Sequence, residues 1–210
     1  MPRPLVTLSY AQSLDGSVAA APGQPLTLSG PEAMGFTHQL RAAHDAILVG
    51  IGTVLADNPR LTVRLASGPD PQPIVLDSQL RLPLDANLLR HPRRPWIAAT
   101  GRADPERQAA LETAGARVFR LPADDCGRVH LPALLDALAD AGIKTLMVEG
   151  GSAVITSFLS ARLVDRLVLT LAPRLVGGLR AVAAPCDLRL RNVTYRSLGT
   201  DLIVEADVVP

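Results

Sequence analysis

The sequence predicts an α/β protein built on a mostly parallel sheet. Short apolar strands alternate with helical segments through most of the chain, which is the pattern of consecutive βαβ units. Two of these strands, Ala46–Gly50 and the one from Thr145 to Glu149, are apolar on both faces, as strands in the middle of a parallel sheet are. Near the C-terminus, two strands over 188–196 and 202–209 flank a turn at 198–201. We therefore predict an antiparallel hairpin at one edge of the sheet.

Local signals predict the remaining elements. Ser29 with Glu32 three residues later, and Pro31 in the first turn, predicts an N-capped helix that reaches about Ala43. Gly142 stands where a helix over 131–141 would end. The other predicted elements are strands over 5–10, 74–78, 96–99, 117–121 and 166–171, an extended piece over 61–64, a surface loop over 67–73, and helices over 104–114 and from about 152 to 159.

Length and composition narrow the class of protein. The 210 residues, 48% of them apolar, fit one domain over 1–210. Only 3% are aromatic and the net charge is +1, so neither stacking platforms nor a basic surface for nucleic acid is expected. The chain contains no apolar run of the roughly 18 residues that a membrane span requires. Met1 leads almost directly into a strand rather than a secretory leader, so a cytoplasmic protein is expected.

Metal and disulfide chemistry are not indicated. Cys126 and Cys186 are too few and too distant for a disulfide framework or a metal clip. The four histidines include no H-x-x-x-H pair. We expect no metal site.

Three strand ends carry the groups from which a ligand site could be built. Gly50, Gly52 and Thr53 follow one strand, Asp77 and Ser78 another, and Glu149, Gly150 and Gly151 a third. Ligands of open parallel sheets bind at the carboxyl ends of the strands, and a following helix N-terminus favours anions. A nucleotide site at this edge is the favoured interpretation, although the G-x-G-x-x-G fingerprint is absent. The alternative is that each is an ordinary tight turn and that Glu149 is solvated.

Four charged residues each allow two interpretations on the sequence alone, a structural role and a role in a site. Asp15, in Ser13–Gly16, and Asp57, before Asn58-Pro59, suit turns and helix ends as well as they suit a site. Arg41 and Arg64 could equally be solvated surface residues.

Several ordered motifs resemble the riboflavin-biosynthesis pyrimidine reductase family. They cover nearly the whole chain, and one of them runs from Asp45 to Arg64, D-A-I-L-V-G-I-G-T-V-L-A-D-N-P-R-L-T-V-R, in which the block from Ile47 to Arg64 is very specific. The others are S-L-D-G over 13–16, S-G-P-E-A over 29–33, V-L-D-S over 75–78, V-E-G-G over 148–151 and L-A-P-R-L-V-G-G over 171–178.

The resemblance implies a dihydrofolate reductase-like fold, three-layer α-β-α with a mostly parallel mixed sheet. It also implies NADPH-dependent reduction of a ribosylaminopyrimidine 5′-phosphate to the ribitylamino compound, and a homodimer. Many bacterial members carry a zinc deaminase domain in front. No H-x-E…C-x-x-C signature is present here, so the resemblance is to the stand-alone form, with a separate deaminase acting in the same pathway.

Matched positions assign candidate site residues. Arg41 and Arg64 would bind the sugar phosphate, Glu149 would accept from the pyrimidine, and Asp57 and Glu149 would be the catalytic residues. The substrate-binding set is Arg41, Leu61, Arg64 and Glu149, and the cofactor-binding set is Ala11, Thr53, Asp57, Ser78, Gly151, Ser152, Ala153, Val154, Ile155, Thr156 and Ser157.

The chain departs from the family pattern in two places. Pro25 and Thr27 replace a phosphate-binding serine and an aromatic residue beside the cofactor. Ser9 stands where bifunctional bacterial members carry a lysine, which leaves open whether the substrate is the amino or the deaminated pyrimidine. Two rivals also remain: a reductase of the same fold acting on dihydrofolate or another pterin, and a catalytically idle nucleotide-binding paralogue.

Overall fold

A computed structural model describes residues 3–209 of the chain. Met1 and Pro2, on which the prediction about a secretory leader partly rests, lie outside the described residues. The strands are β1 (Leu5–Ser13), β2 (Ser17–Ala21), β3 (Gln24–Pro25), β4 (Ala46–Gly50), β5 (Gln72–Leu76), β6 (Trp96–Thr100), β7 (Arg117–Leu121), β8 (Thr145–Gly150), β9 (Arg166–Ala172), β10 (Leu179–Arg180), β11 (Arg189–Leu198) and β12 (Asp201–Val209). The helices are α1 (Pro31–Ala42), α2 (Ile51–Asp57), α3 (Pro105–Thr113), α4 (Leu131–Asp140) and α5 (Ser152–Ser160), with a 3₁₀ turn at Asn87–Arg90.

Nine strands form the main sheet, in the order β11-β12-β9-β1-β8-β4-β5-β6-β7. The seven strands from β9 to β7 in that order are parallel, whereas β12 runs antiparallel to β9 and β11 antiparallel to β12. The predicted antiparallel hairpin at the sheet edge is confirmed.

Successive side chains of the central strands point to opposite faces of the sheet, and each face packs against its own layer of helices. Leu48 of β4 packs in the cluster that contains α4 and α5, whereas its neighbour Ile47 packs in the cluster that contains α2 and α3. Met147 of β8 meets Leu40 of α1 on that second side. The predicted three-layer α-β-α architecture is confirmed, because a strand buried on both faces needs a helix on each.

A second, three-stranded sheet in the order β10-β2-β3 was not predicted. Strands β3 and β10 have two residues each and β2 has five, three of them alanine, so they carry little hydrophobic periodicity. Asp15 ties the start of β2 to the loop before β10, since its carboxylate accepts from the Ser13 and Ser17 hydroxyls and from the backbone N–H groups of Val176 and Gly177 at 2.6–2.9 Å. These bonds hold the pKa of Asp15 far below its ordinary value.

Three local predictions were wrong. Gly30, not Ser29, is the N-cap of α1, and its N–H donates to Asp201 at 2.7 Å, so the cap comes from a distant hairpin. Residues 61–64 form no strand, because side chains rather than a neighbouring strand bind their N–H groups. Strand β5 begins at Gln72, two residues inside the predicted loop over 67–73.

Within residues 3–209, no helix is long and apolar enough to cross a membrane. Cys126 and Cys186 are free thiols, and both are exposed.

Candidate active site

A cleft of about 630 Å³ opens at the carboxyl ends of β1, β4 and β8. The parallel order β8-β4-β5 brings the three predicted strand ends to one edge of the sheet. Residues 18–26, which we call the flap, form most of one wall of the cleft. Helix α1 forms another wall with Met34, Thr37 and Arg41, which lie on one helical face at spacings of three and four residues.

Arg41 and Glu149 form a bidentate ion pair at the base of the cleft. Arg41 Nε donates to Glu149 Oε1 at 2.6 Å, and Nη2 donates to Oε2 at 2.7 Å. The side chains are only 11% and 15% exposed, so the pair is largely desolvated. Burial by itself lowers the pKa of Arg41, but the carboxylate outweighs it and the pKa is raised. The two parallel hydrogen bonds fix both side chains in one geometry.

The segment after α2 lies against this pair. Arg41 Nη1 donates to the Thr62 carbonyl at 3.2 Å, and the Arg64 N–H donates to His38 Nδ1 at 2.9 Å. The Arg64 side chain is exposed and donates to the Thr62 hydroxyl at 2.9 Å. Burial, and then the positive charges of Arg41 and Arg60, lower the pKa of Arg64. The positive charge concentrated here favours an anion.

Gly150 and Gly151 bring backbone close to the cleft. Both have positive φ, 93° and 82°, which favours glycine. A Cβ at Gly151 would lie 2.8 Å from Thr53 Oγ1, and one at Gly150 would lie 2.6 Å from Ile155. Gly151 is the N-cap of the nine-residue α5 and supplies no side-chain cap, so the first N–H groups of the helix remain available. Gly151, Ser152 and Ala153 line the cleft, and this arrangement fits a dinucleotide pyrophosphate.

Asp57 lies at the end of α2, on the rim of the cleft. No hydrogen-bond partner of its carboxylate is found within residues 3–209. Loss of water around it raises its pKa above the ordinary aspartate value. Asp57 is nevertheless exposed at the rim, so the loss of water around its carboxyl group is partial.

The structure brings most of the predicted site residues together. Those that line the cleft are Ala11, Arg41, Thr53, Asp57, Glu149, Gly151, Ser152, Ala153, Val154 and Ile155. Leu61 is 2% exposed and packs in the core, and Arg64 is not among the residues that line the cleft. Thr156 accepts from the Ala183 N–H at 3.0 Å, outside the cleft lining.

Ser78 and Ser157 lie further along the same edge, near the loop that precedes α4. Ser78 Oγ accepts from the Val129 N–H at 3.2 Å, and Arg128 Nη1 lies 3.4 Å from Ser157 Oγ. The adjacent residues Arg128 and Val129 thus approach one hydroxyl group each, and the Arg128 guanidinium also pairs with Asp124 at 3.4 Å. Asp77, the other polar residue of this strand end, is fully buried and accepts from the Leu82 N–H at 2.8 Å.

Several residues that line the cleft were not predicted from the sequence. Tyr10, Thr37 and Thr170 contribute hydroxyl-bearing side chains, and burial, followed by the nearby Cys186, raises the pKa of Tyr10 to about 12. Their signal in the sequence is weak because each lies within an ordinary strand or helix pattern. Of the family departures, Ser9 and Pro25 line the cleft, whereas Thr27 is exposed and does not.

Solved structures give the class of protein. The riboflavin biosynthesis reductase Rib7 of Saccharomyces cerevisiae superposes with a TM-score of 0.81 at 31% identity, covering 99% of this chain and 90% of that one. Dihydrofolate reductase from Enterococcus faecalis, at 15% identity and a TM-score of 0.56 over 97% of this chain and 96% of that one, shares the fold. The chain is thus an α/β oxidoreductase with the dihydrofolate reductase-like fold.

The family follows from sequence. Residues 4–204 match the model of the RibD C-terminal domain, and the chain belongs to that family. A 2,5-diamino-6-ribosylamino-4(3H)-pyrimidinone 5′-phosphate reductase of Methanothermobacter thermautotrophicus is 39% identical over 98% of this chain and 99% of its own length. The riboflavin biosynthesis protein RibD of Bacillus amyloliquefaciens is 40% identical over 83% of this chain, and the match spans 47% of that protein. The chain therefore matches about half the length of the Bacillus relative and nearly the whole of the Methanothermobacter one.

Proposed function

We propose that this chain reduces the ribosyl group of a ribosylaminopyrimidine 5′-phosphate to the ribitylamino compound in riboflavin biosynthesis, with NADPH as reductant. The observation that carries the proposal is the buried Arg41–Glu149 pair, which lies in one cleft with the Gly150–Gly151 turn. One half of the cleft suits a polar ring and its phosphate, and the other suits a dinucleotide.

The pyrimidine half has acceptors and donors fixed before the substrate arrives. Each oxygen of Glu149 accepts once from Arg41, which leaves each oxygen a further acceptor site for ring or exocyclic N–H groups. Ser9, Thr37 and Thr170 add hydroxyl groups on the same side of the sheet. Arg64, with Arg60 and Arg41 nearby, offers positive charge to the sugar phosphate. A pterin has no sugar phosphate, so this charge disfavours the dihydrofolate alternative.

The cofactor half supports NADPH. The N-terminus of α5 is suited to the pyrophosphate, and Thr53 and Asp57 line the adjoining wall. Arg128 beside Ser157, and Ser78 on the N–H of Val129, offer a guanidinium group and hydroxyl groups to a phosphate monoester, which would replace Asp124 as the partner of Arg128; this chemistry favours NADPH over NADH. When bound, the nicotinamide supplies the hydride for the reduction. The protein holds the two reactants together, excludes water beneath the flap, and offers Asp57 as a proton donor to the opened sugar.

We propose the amino, not the deaminated, pyrimidine as the substrate. Ser9 is 6% exposed and lines the cleft, so this position has a small neutral hydroxyl group. A hydroxyl and a carboxylate accept readily from exocyclic amino groups. The archaeal relative that matches over its whole length is named for the diamino compound. A separate deaminase would then act on the product.

The chain is further proposed to form a homodimer, since closed twofold assemblies are the commonest and β11 leaves an unpaired edge with Leu190 and Tyr195 exposed. Light scattering after size-exclusion chromatography tests this assembly. A monomer at micromolar concentration would contradict it.

The activity is tested by following NADPH and NADH oxidation by absorbance, with the amino and the deaminated pyrimidine phosphates and dihydrofolate offered in parallel. We expect oxidation of NADPH with the amino compound to be fastest. Preference for dihydrofolate would favour the pterin alternative, and NADPH binding without turnover on either pyrimidine would favour the idle paralogue.

A further inference from the structure

We propose that His38 is a positioning residue for substrate binding, because its Nδ1 accepts the Arg64 N–H and so fixes residues 60–64 beside the Arg41–Glu149 pair. This inference rests on the proposed function insofar as it takes Arg64 as a ligand of the substrate phosphate. His38 would act through Arg64 and not by touching substrate.

His38 and Arg41, from one helical face, hold the segment together with Asp70, whose Oδ1 accepts the Val63 N–H at 2.6 Å. His38 and Arg41 are three residues apart in α1, so their side chains emerge on the same side of the helix. His38 accepts from the Arg64 N–H at 2.9 Å, and Arg41 donates to the Thr62 carbonyl at 3.2 Å. Strand pairing contributes nothing here, since residues 58–64 belong to no helix or strand. The position of Arg64 therefore depends on side-chain anchors.

The geometry also defines the protonation state of His38. An imidazole nitrogen that accepts from an N–H carries no proton, so Nδ1 is bare and the proton resides on Nε2. An imidazolium would present a donor to the Arg64 N–H and lose the bond. Burial, followed by the positive charges of Arg41 and Arg64, lowers the pKa of His38, while Glu149 opposes this shift more weakly. The neutral form that the anchor requires is the form that its surroundings favour.

Because the His38 side chain is buried, its other ring nitrogen, Nε2, does not reach a ligand in the cleft. His38 is fully buried, and Nε2 has no hydrogen-bond partner in the part of the chain that the structure describes. If this side chain only filled space, an apolar residue would suit the position better, because it would not bury an N–H group without a partner. The polar interaction with Arg64 is what distinguishes histidine from a leucine at this position.

Two substitutions separate anchoring from space filling. In His38→Asn the side-chain amide oxygen can occupy the Nδ1 position and accept from Arg64, whereas His38→Leu fills the space without an acceptor. Space filling predicts that leucine is tolerated better than asparagine, and anchoring predicts the reverse for substrate binding. His44→Leu is the matched control, because His44 follows the same helix and bonds Leu40 and Thr7 rather than the 60–64 segment.

The readouts are KM for the pyrimidine phosphate, Kd for ribose 5-phosphate by calorimetry, Kd for NADPH, and the melting temperature. For His38→Leu we expect about a tenfold rise in the first two, the equivalent of one lost hydrogen bond with its desolvated partner, and less than about a twofold change in NADPH binding. His38→Asn should recover most of the loss, and His44→Leu should match the wild type in all three ligand constants. If His38→Leu does not fold, His38→Gln replaces it, since its amide reaches the Nε2 and not the Nδ1 position.

The inference is overturned if a folded His38→Leu or His38→Gln protein binds ribose 5-phosphate as the wild type does, or if asparagine weakens binding as much as they do. Ribose 5-phosphate binding needs no turnover, so the two proposals fail separately. A wild type that reduces no pyrimidine but shows the His38 dependence would refute the reaction and support the anchor. A wild type that reduces the pyrimidine, with KM unchanged in the variants, would refute the anchor alone.

Discussion

Arg41 of α1 and Glu149 of β8 meet in two parallel hydrogen bonds of 2.6 and 2.7 Å, although 108 residues separate them in the chain. Most surface ion pairs contribute little, but this one is largely buried and bidentate. Breaking it by removing one charge leaves the other uncompensated in a place where water is scarce. The pair therefore couples the stability of the cleft to its binding chemistry.

Glu149→Gln should weaken pyrimidine binding by about tenfold or more, because a charge-assisted acceptor is lost and the new amide N–H₂ faces the Arg41 guanidinium. NADPH binding should change by less than about twofold, since the dinucleotide is expected on the other half of the cleft. Titration of each ligand measures both. Glu205→Gln, which removes a carboxylate paired with Arg166 and Arg196 on the outer strands, serves as the control. Equal losses for both ligands would contradict the assigned role of Glu149.

Asp57→Asn should reduce kcat by on the order of a hundredfold if Asp57 is the proton donor. The acid form is needed, and its population falls as the pH rises through the raised pKa of Asp57, so wild-type kcat should decrease toward high pH. In the asparagine variant that decrease should disappear. A pH–rate profile of kcat checks this, and an unchanged limb in the variant would assign the proton to water or another group.

Gly151→Ala should impair NADPH binding and lower the stability by about 1–3 kcal/mol, because alanine is strained at this backbone conformation. Its Cβ would also lie 2.8 Å from Thr53 Oγ1. Cofactor titration and thermal unfolding measure the two effects. Gly35→Ala is the matched control: it lies in α1 with nothing within 4 Å of its Cβ, and should stabilise by up to about 1 kcal/mol.

Asp15→Asn should destabilise the junction between the flap and the loop after β9, because an amide has one acceptor oxygen where the carboxylate uses two. The pKa of Asp15 is depressed in the folded protein, so its stabilisation is fully present above the unfolded aspartate pKa and is lost as the pH falls toward the folded one. The difference in melting temperature between wild type and variant should therefore be largest near neutral pH and shrink below about pH 4. A constant difference across that range would show that the charge of Asp15 is not what matters.

Ser9→Lys should shift the preference toward the deaminated pyrimidine, because a lysine adds a cationic donor for a ring carbonyl. The ratio of kcat/KM for the two pyrimidines, measured in wild type and variant, provides the test. The control is Ser9→Ala, which removes the hydroxyl group without adding an amine. A lysine at Ser13 would not serve, because Ser13 is buried and hydrogen-bonded to Asp15. If Ser9→Lys and Ser9→Ala change the ratio alike, the loss of the hydroxyl and not the gain of the amine is responsible.

The sequence alone determined the alternation of strands and helices, the antiparallel edge, the helix that begins after Asp104, the end of α4 before Gly142 and the glycine turn after Glu149. Burial periodicity and glycine or proline chemistry are local properties, so a short window of residues encodes them. Family motifs supplied the candidate residues at the cleft. Periodicity gave no sign of β3 and β10, which have two residues each, or of β2, which is short and mostly alanine.

Tertiary structure decided which of those residues meet. Arg41 reaches Glu149 because α1 packs across β8, Asp201 caps α1 from the C-terminal hairpin, and His38 binds a segment that no strand holds. Ser78 and Arg64 lie outside the cleft lining for the same reason, since their motifs set the residue type but not the direction of the side chain. Partners far apart in the chain are set by how rigid elements pack against one another, and that packing depends on the shape of the whole core and not on any local window.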